Sequence, residues 1–212
     1  MTMTNAGSAR PGWRGMLVVA ALLLSGCAYS VGYNSTYLPA PAAGASGERV
    51  AGEVLIYMPQ QDVDWVYSGH PTSFTASATT LSIPLGSITQ QIAVRVFARD
   101  FSSVQAVTSL EGRSGYLVEV QPKVRHFEYA YNQLRNLGFA ITPEVSLELH
   151  VLARDPAGKV VLDKVYESGL VQGETYVASA SPAEKTNAAV HQVLWRLLSQ
   201  AATDIRAAHA GP

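Results

Sequence analysis

Cysteine occurs once in the 212 residues, at Cys27. An intramolecular disulfide is therefore excluded, and an odd cysteine in a secreted chain calls for another role. Charge is also scarce: 15% of residues are charged, with 15 basic against 16 acidic. No basic field exists to hold nucleic acid, and no polybasic run exists to hold anionic headgroups. The apolar run Met16–Leu24 is nine residues long, about half of the ~18 that a spanning helix needs. The sequence also lacks a Gly-x-Ser-x-Gly elbow, a His-Glu-x-x-His pair, a P-loop, dinucleotide glycines and a Ser-x-x-Lys with its usual companions. These absences remove the common hydrolase, metalloprotease and nucleotide-dependent classes. The expectation is a protein that is not an enzyme and uses no cofactor or metal.

What is present begins at the short apolar run. Arg10 and Arg14 precede it, and Ser25, Gly26 and Cys27 follow. A positive region, a short apolar region and small residues before a cut make a secretory signal. Leu24-Ser25-Gly26-Cys27 looks like a lipobox, the site at which bacterial lipoproteins are cleaved and acylated on the cysteine. Several acyl chains on one residue anchor stably, each buried methylene contributing ~0.8 kcal/mol. Ala28 follows the cysteine rather than an aspartate, which in the enteric-type lipoproteins that this resembles favours delivery to the outer membrane; the residue does not fix which side the domain faces, and the expectation taken is the periplasmic side. The expected organisation is a signal peptide over 1–26, an acylated cysteine and flexible tether over 27–48, and one domain over 49–208. Removing the signal leaves about 186 residues with a formal charge of about −3, a size typical of one domain with its own core.

The tether, AYSVGYNSTYLPAPAAGASGE, has no sustained apolar period; Tyr29, Tyr33 and Tyr37 recur every four residues in it. They suit a segment touching its own domain or the membrane. Val50–Met58 reads as a buried strand ended by Pro59, and Asp62–Tyr67 alternates like a second. A third is expected from Thr79 to Ile83. Pro84-Leu85-Gly86 opens a helix to about Ser102, with Leu85, Ile88, Ile92, Val96, Phe97 and Phe101 inward. Val104–Leu110 reads as a strand. Gly115–Tyr131 is a long strand whose apolar parity changes at Arg125–His126, the mark of a bulge. After a turn over Asn132–Gly138, Phe139–Ala153 alternates as a half-solvated antiparallel strand. Asp155-Pro156-Ala157-Gly158 is a turn, and Lys159–Val171 returns. Ser181-Pro182-Ala183-Glu184 is a capping box for a helix to about Ala207, with Val190, Val193, Leu194, Leu197, Ala201 and Ile205 as its stripe. Together these predict an α+β fold: a mostly antiparallel sheet with two amphipathic helices packed on one face.

Two groups of residues have chemistry to weigh. A turn centred in Asp155–Gly158 would set His150 opposite Asp163, and a turn at Leu134–Arg135 would set Glu119 opposite His150. Imidazole and carboxylates together suit zinc; a plain cross-strand polar ladder explains the same residues. The stretch Trp65–Ile83 combines Trp65, Tyr67 and Phe74 with a low-charge, hydroxyl-rich sequence. Aromatics are enriched at interfaces and Lys and Glu depleted, so these three are the candidate contact surface. They could equally complete the core, and SFTASATT could hold a glycan or a lipid headgroup.

The lipobox Leu24–Cys27, the strand–turn–strand Val145–Glu167 and the closing helix Ala188–Ile205 with Val190, Leu194 and Leu197 give an order that resembles outer-membrane lipoproteins of the YajG type and, more distantly, the LptE type. The resemblance implies a location and a fold. The expected function is a non-enzymatic, membrane-anchored lipoprotein that supports envelope structure or assembly through contacts with an envelope protein. The alternative is a periplasmic binding module for a lipid, a glycan or peptidoglycan.

Overall fold

A computed structural model describes residues 28–40, 49–132, 140–177 and 182–210. The signal, the lipobox with Cys27, the turn after Asn132 and Ser181 of the capping box lie outside the described residues. The elements are β1 (Ala28–Ser30), β2 (Val50–Tyr57), α1 (Gln60–Val63), β3 (Tyr67–Gly69), β4 (Thr80–Ile83), α2 (Leu85–Asp100), β5 (Phe101–Val107), β6 (Val118–Asn132), β7 (Ala140–Arg154), β8 (Val160–Glu167), β9 (Val171–Gln172), β10 (Tyr176–Val177) and α3 (Pro182–Ala210). A 3₁₀ turn at Ser35–Tyr37 follows β1.

The main sheet has seven strands. Its antiparallel half is built on β7, which pairs with β6 along one edge. Along the other edge lie β8, β9 and β10 in turn. Gly169, at φ +60, interrupts the returning chain between β8 and β9, a backbone region that glycine enters without steric cost. The other half is parallel: Val54 of β2 lies between Val104 of β5 and Val118 of β6. Parallel neighbours need a crossover, and α2 makes the one from β2 to β5. A second, three-stranded sheet in the order β1-β4-β3 stands beside β6. Thr72 N–H donates to Tyr129 O at 2.8 Å and Tyr129 Oη–H to Gly69 O at 2.9 Å, joining the two sheets.

Both long helices cover one face. Leu85, Ile88, Ile92, Val96 and Phe97 of α2 are buried, as are Val190, Val193, Leu194, Leu197, Ala201 and Ile205 of α3. They share one core with Val145, Leu147, Leu149 and Val151 of β7. The α+β fold class read from the sequence is the fold observed, and the β6 bulge falls at its expected place, between Val124 and His126.

Two expectations need correction. Asp62–Tyr67 is not a strand. Pro59 O accepts from Asp62 N–H at 2.8 Å and Val63 N–H at 3.1 Å, so the chain closes a helical turn, α1, and only Tyr67–Gly69 is extended. Pro59 sets φ at −51 ahead of that turn, and this local geometry overrides a three-step alternation. Residues 28–40 do not stand off the domain. Their first strand pairs in parallel with β4, Ala28 opposite Thr80, and Tyr33 and Tyr37 pack on His191 of α3.

Candidate functional site

A groove of about 500 Å³ opens where β2 leaves the sheet. Beyond Val120, β6 has no β2 partner, and among the described residues it continues as an edge strand. Pro122, which has no N–H to give, sits just past that point, as expected of proline in a sheet. The bulge then brings Val124 and Arg125 to the groove with Lys123. Met58, Gln61, Asp62 and Trp65 wall it from the α1 side, and Gly86 and Thr89 from α2.

Glycine is required at position 86. A Cβ there would lie 2.0 Å from Asp62 O and 2.5 Å from Val63 O, so only a bare Cα lets α1 close on α2. Gly86 N–H donates to Trp65 O at 3.1 Å, which fixes the backbone carrying the indole. Asp62 reaches across to Lys123, Nζ to Oδ1 at 3.1 Å. Thr89 is fully buried, yet among the described residues its Oγ1 has no hydrogen-bond partner. A buried hydroxyl left unpaired costs about 1–3 kcal/mol, which a ligand or a water within the groove would recover.

Arg125 links this groove to the residues singled out for a possible metal. Its Nη2 lies 3.1 Å from His150 Nδ1. Guanidinium only donates, so Nδ1 accepts and the proton sits on Nε2, donated to Asp163 Oδ1 at 2.6 Å. His150 and Asp163 do meet, although the register is two residues from the expected one: Leu152 is opposite Asp163, and His150 opposite Val165. The cause is a bulge between Ala153 and Arg154 and the wider turn closed by Asp155 N–H on Lys159 O at 3.0 Å. Glu119 is elsewhere. It lies opposite Arg154, with Oε1 3.5 Å from Nη1, while Lys123 takes the place opposite His150. Among the described residues no trio of potential ligands assembles. The three form part of two separate polar pairings, the ladder reading.

The three aromatics of the expected contact surface separate. Trp65 is 39% exposed on the groove wall. Tyr67 faces inward, edge-on to Phe127 with ring centres 4.7 Å apart. Burial raises its phenol pKa, and the Glu128 carboxylate raises it further; Tyr67 belongs to the core. Phe74 is 97% exposed, at the opposite end of the small sheet from Trp65.

Sequence reasoning missed Thr89, Lys123 and Arg125 as groove residues. The signals were present. Thr89 follows Leu85 by four positions, so it is a polar residue on the apolar stripe of α2. Pro122 with the parity change at Arg125 marks where β6 loses its neighbour.

No protein-family model matches this chain, and no curated protein matches it. Among solved structures, a Xanthomonas campestris protein of the DUF330 family superposes with a TM-score of 0.53 at 16% identity, over 86% of this chain and 98% of that one. At that identity the shared property is the fold: a DUF330-like α+β domain. A neuraminyllactose-binding hemagglutinin homolog from Helicobacter pylori gives a TM-score of 0.40 at 9% identity, over 80% and 88% of the two chains. A candidate lipoprotein from Caulobacter crescentus gives 0.34 at 16% identity, over 60% and 86%. These last two scores carry no functional argument.

Proposed function

We propose that the protein is a non-enzymatic lipoprotein of the bacterial cell envelope, anchored in the outer membrane through acylated Cys27, facing the periplasm and acting by contact with an envelope protein. The observation that carries this reading is Leu24-Ser25-Gly26-Cys27 directly ahead of β1. Cleavage before Cys27 would leave β1, Ala28–Ser30, starting at the residue after the new N-terminal cysteine. No described helix is long and apolar enough to cross a membrane, so the lipid is the anchor that the reading requires. Exposed Trp65, on the groove wall beside β6, and Val66, exposed next to it in the chain, supply the contact surface. Cys27→Ala tests the anchor. The variant is expected unacylated by mass and free of the membrane fraction; a variant processed normally and still tightly bound refutes the reading.

Thr89 favours a second reading, a binding module. The groove offers two cations, one carboxylate, an indole face, the apolar walls of Met58 and Val124, and an unpaired hydroxyl. That set suits an amphiphilic ligand bearing hydroxyl or anionic groups, such as a lipid or glycan of the envelope. Thr89→Val keeps the shape and removes the hydroxyl. It is expected to leave the free protein as stable or up to about 3 kcal/mol more stable, because the unpaired group is gone. A loss above about 1 kcal/mol in urea unfolding would mean that Oγ1 is already satisfied without a ligand.

A further inference from the structure

The position of Phe74 relative to Cys27 defines how the domain meets the membrane. β1 and β4 run parallel with Ala28 opposite Thr80. Cys27 is joined to Ala28 by one peptide bond, so its Cα lies within about 3.8 Å of that of Ala28. Acyl chains on Cys27 would thus attach one residue ahead of Ala28, the residue paired with Thr80 at the start of β4.

The residues leading into β4 form a built turn. Ser77 N–H donates to Phe74 O at 3.2 Å and Thr79 N–H to Ala76 O at 2.8 Å. Ala76 holds φ +60, a left-handed conformation that is strained for alanine. Upstream, Thr72 N–H bonds Tyr129 O, and Ser73 Oγ accepts from Tyr131 N–H at 2.8 Å. These bonds hold the turn against β6 and direct Phe74 outward, 97% exposed. Residues 71–80 contain no charged side chain. Phe74 is six residues from Thr80, at most about 21 Å of chain.

The same end of the molecule carries a second exposed apolar side chain. Val177 is 61% exposed and pairs with Ala140, just beyond the pairing of Asn132 with Thr142. Carboxylates near this end are engaged: Glu144 accepts from Asn132 and Gln172, and Glu174 from Lys185. An uncharged turn that presents an exposed phenylalanine on the segment leading into the strand paired with Ala28 has the chemistry of an interfacial anchor.

We infer that the Phe74 turn docks on the surface of the bilayer that holds the Cys27 acyl chains, with Val177 at the margin, so that β7 points its Asp155–Gly158 turn away from the membrane. This rests on the lipoprotein reading above. It makes residues 28–40 a strap that orients the domain.

The test uses the full acylated protein. Acylation occupies Cys27, so Ala78→Cys, in the same turn as Phe74, and Ala157→Cys each provide one free thiol for an environment-sensitive fluorophore while Phe74 is kept. Both sites are exposed, and residue 157 lies past the far end of β7, about 45 Å from Ala140. The labelled proteins are placed in phosphatidylethanolamine–phosphatidylglycerol vesicles containing nitroxide-labelled lipid. The expected result is severalfold stronger quenching at position 78 than at 157, with a blue-shifted emission only at 78. Acylated protein with equal quenching at the two sites overturns the docking and leaves the anchor standing. Intact mass without acyl groups overturns the lipoprotein reading, and the docking with it.

Discussion

Protonating His191 should release the strap. His191 is fully buried on α3. Its Nε2 is 3.0 Å from Asn34 N, and its Nδ1 is 2.8 Å from Asn187 O. A backbone N–H only donates, so Nε2 must accept and the ring is neutral with its proton on Nδ1. Asn187 Nδ2 donates to Gly32 O at 2.8 Å, next to the same contact. The rings of Tyr33 and Tyr37 flank the imidazole, and Tyr37 Oη–H bonds Glu184. Burial lowers the His191 pKa, and this outweighs the opposing pull of the Asn187 carbonyl and the Glu184 carboxylate. A second proton on the ring would set N–H against N–H at Asn34. The unfolded chain therefore binds that proton more readily than the folded one. Stability is complete above the unfolded value of about 6.5 and is lost as pH falls below it, by up to about 1.4 kcal/mol per pH unit until the lowered native value is reached. For a native ring that stays neutral, the loss from pH 7.5 to 5.5 is about 1.4 kcal/mol. Urea unfolding of the wild type and of His191→Gln at both pH values measures it. The difference between the two proteins isolates this group from Asp204, whose carboxyl is held low by Lys164 and Tyr166 in both. In the wild type, amide exchange at Asn34 should rise with the loss. Parallel pH dependences in wild type and variant would refute the reasoning.

Two further substitutions test the packing. Gly86→Ala is expected to cost about 1–3 kcal/mol, because the new methyl meets the backbone oxygens of Asp62 and Val63 and α1 must retreat. Unfolding curves indistinguishable from wild type would mean that α1 is not seated on α2. Leu194→Ala should cost about 2–5 kcal/mol, since Leu194 is buried in one core with Leu147 and Leu149; a thermal midpoint within a degree of wild type would place α3 elsewhere.

Long periodic segments were legible in the sequence and short ones were not. The stripes of α2 and α3 and the alternation in β7 each repeat over many residues, so one local exception does not erase the signal. Even the bulge in β6 could be read, because it reverses parity from Val124 to Phe127. Asp62–Tyr67 offered only three alternating positions, too few to outweigh a helical turn starting at Pro59. Register was harder still. The offset between His150 and Asp163 depends on how the backbone closes between Arg154 and Lys159, where Asp155 Oδ1 takes both Ala157 N–H and Lys159 N–H at 2.9 Å. Composition does not encode that geometry. Nor could periodicity show the partners of Ala28–Ser30, because a three-residue strand has no period and its neighbour, β4, is 52 residues away.

The groove and the strap follow from one event, the departure of β2 from the sheet after Tyr57. Had β2 continued, it would have covered β6 beyond Val120 and left no edge there. Pro59 turns the chain into α1 instead, and Gly86 lets α1 seat against α2. The exposed stretch of β6 then receives two different neighbours. Next to Val120 it borders the groove, where Lys123 and Arg125 face Asp62, Trp65 and Thr89. Farther along, from Phe127 to Tyr131, it receives the small sheet, through Tyr67 on Phe127 and the Thr72–Tyr129 and Ser73–Tyr131 bonds. That sheet in turn supplies β4 as the partner of β1. In the proposed membrane docking and the binding-module reading, orientation and ligand access are therefore coupled through β6. A substitution that shifts the Phe127–Tyr129–Tyr131 ring stack should disturb both, whereas one confined to Thr89 should change the groove alone. Separate measurement of fluorophore quenching at position 78 and of urea stability in Tyr129→Leu and Thr89→Val distinguishes the two effects. Quenching unchanged in Tyr129→Leu, with stability reduced, would show that the strap is held by α3 rather than by β6.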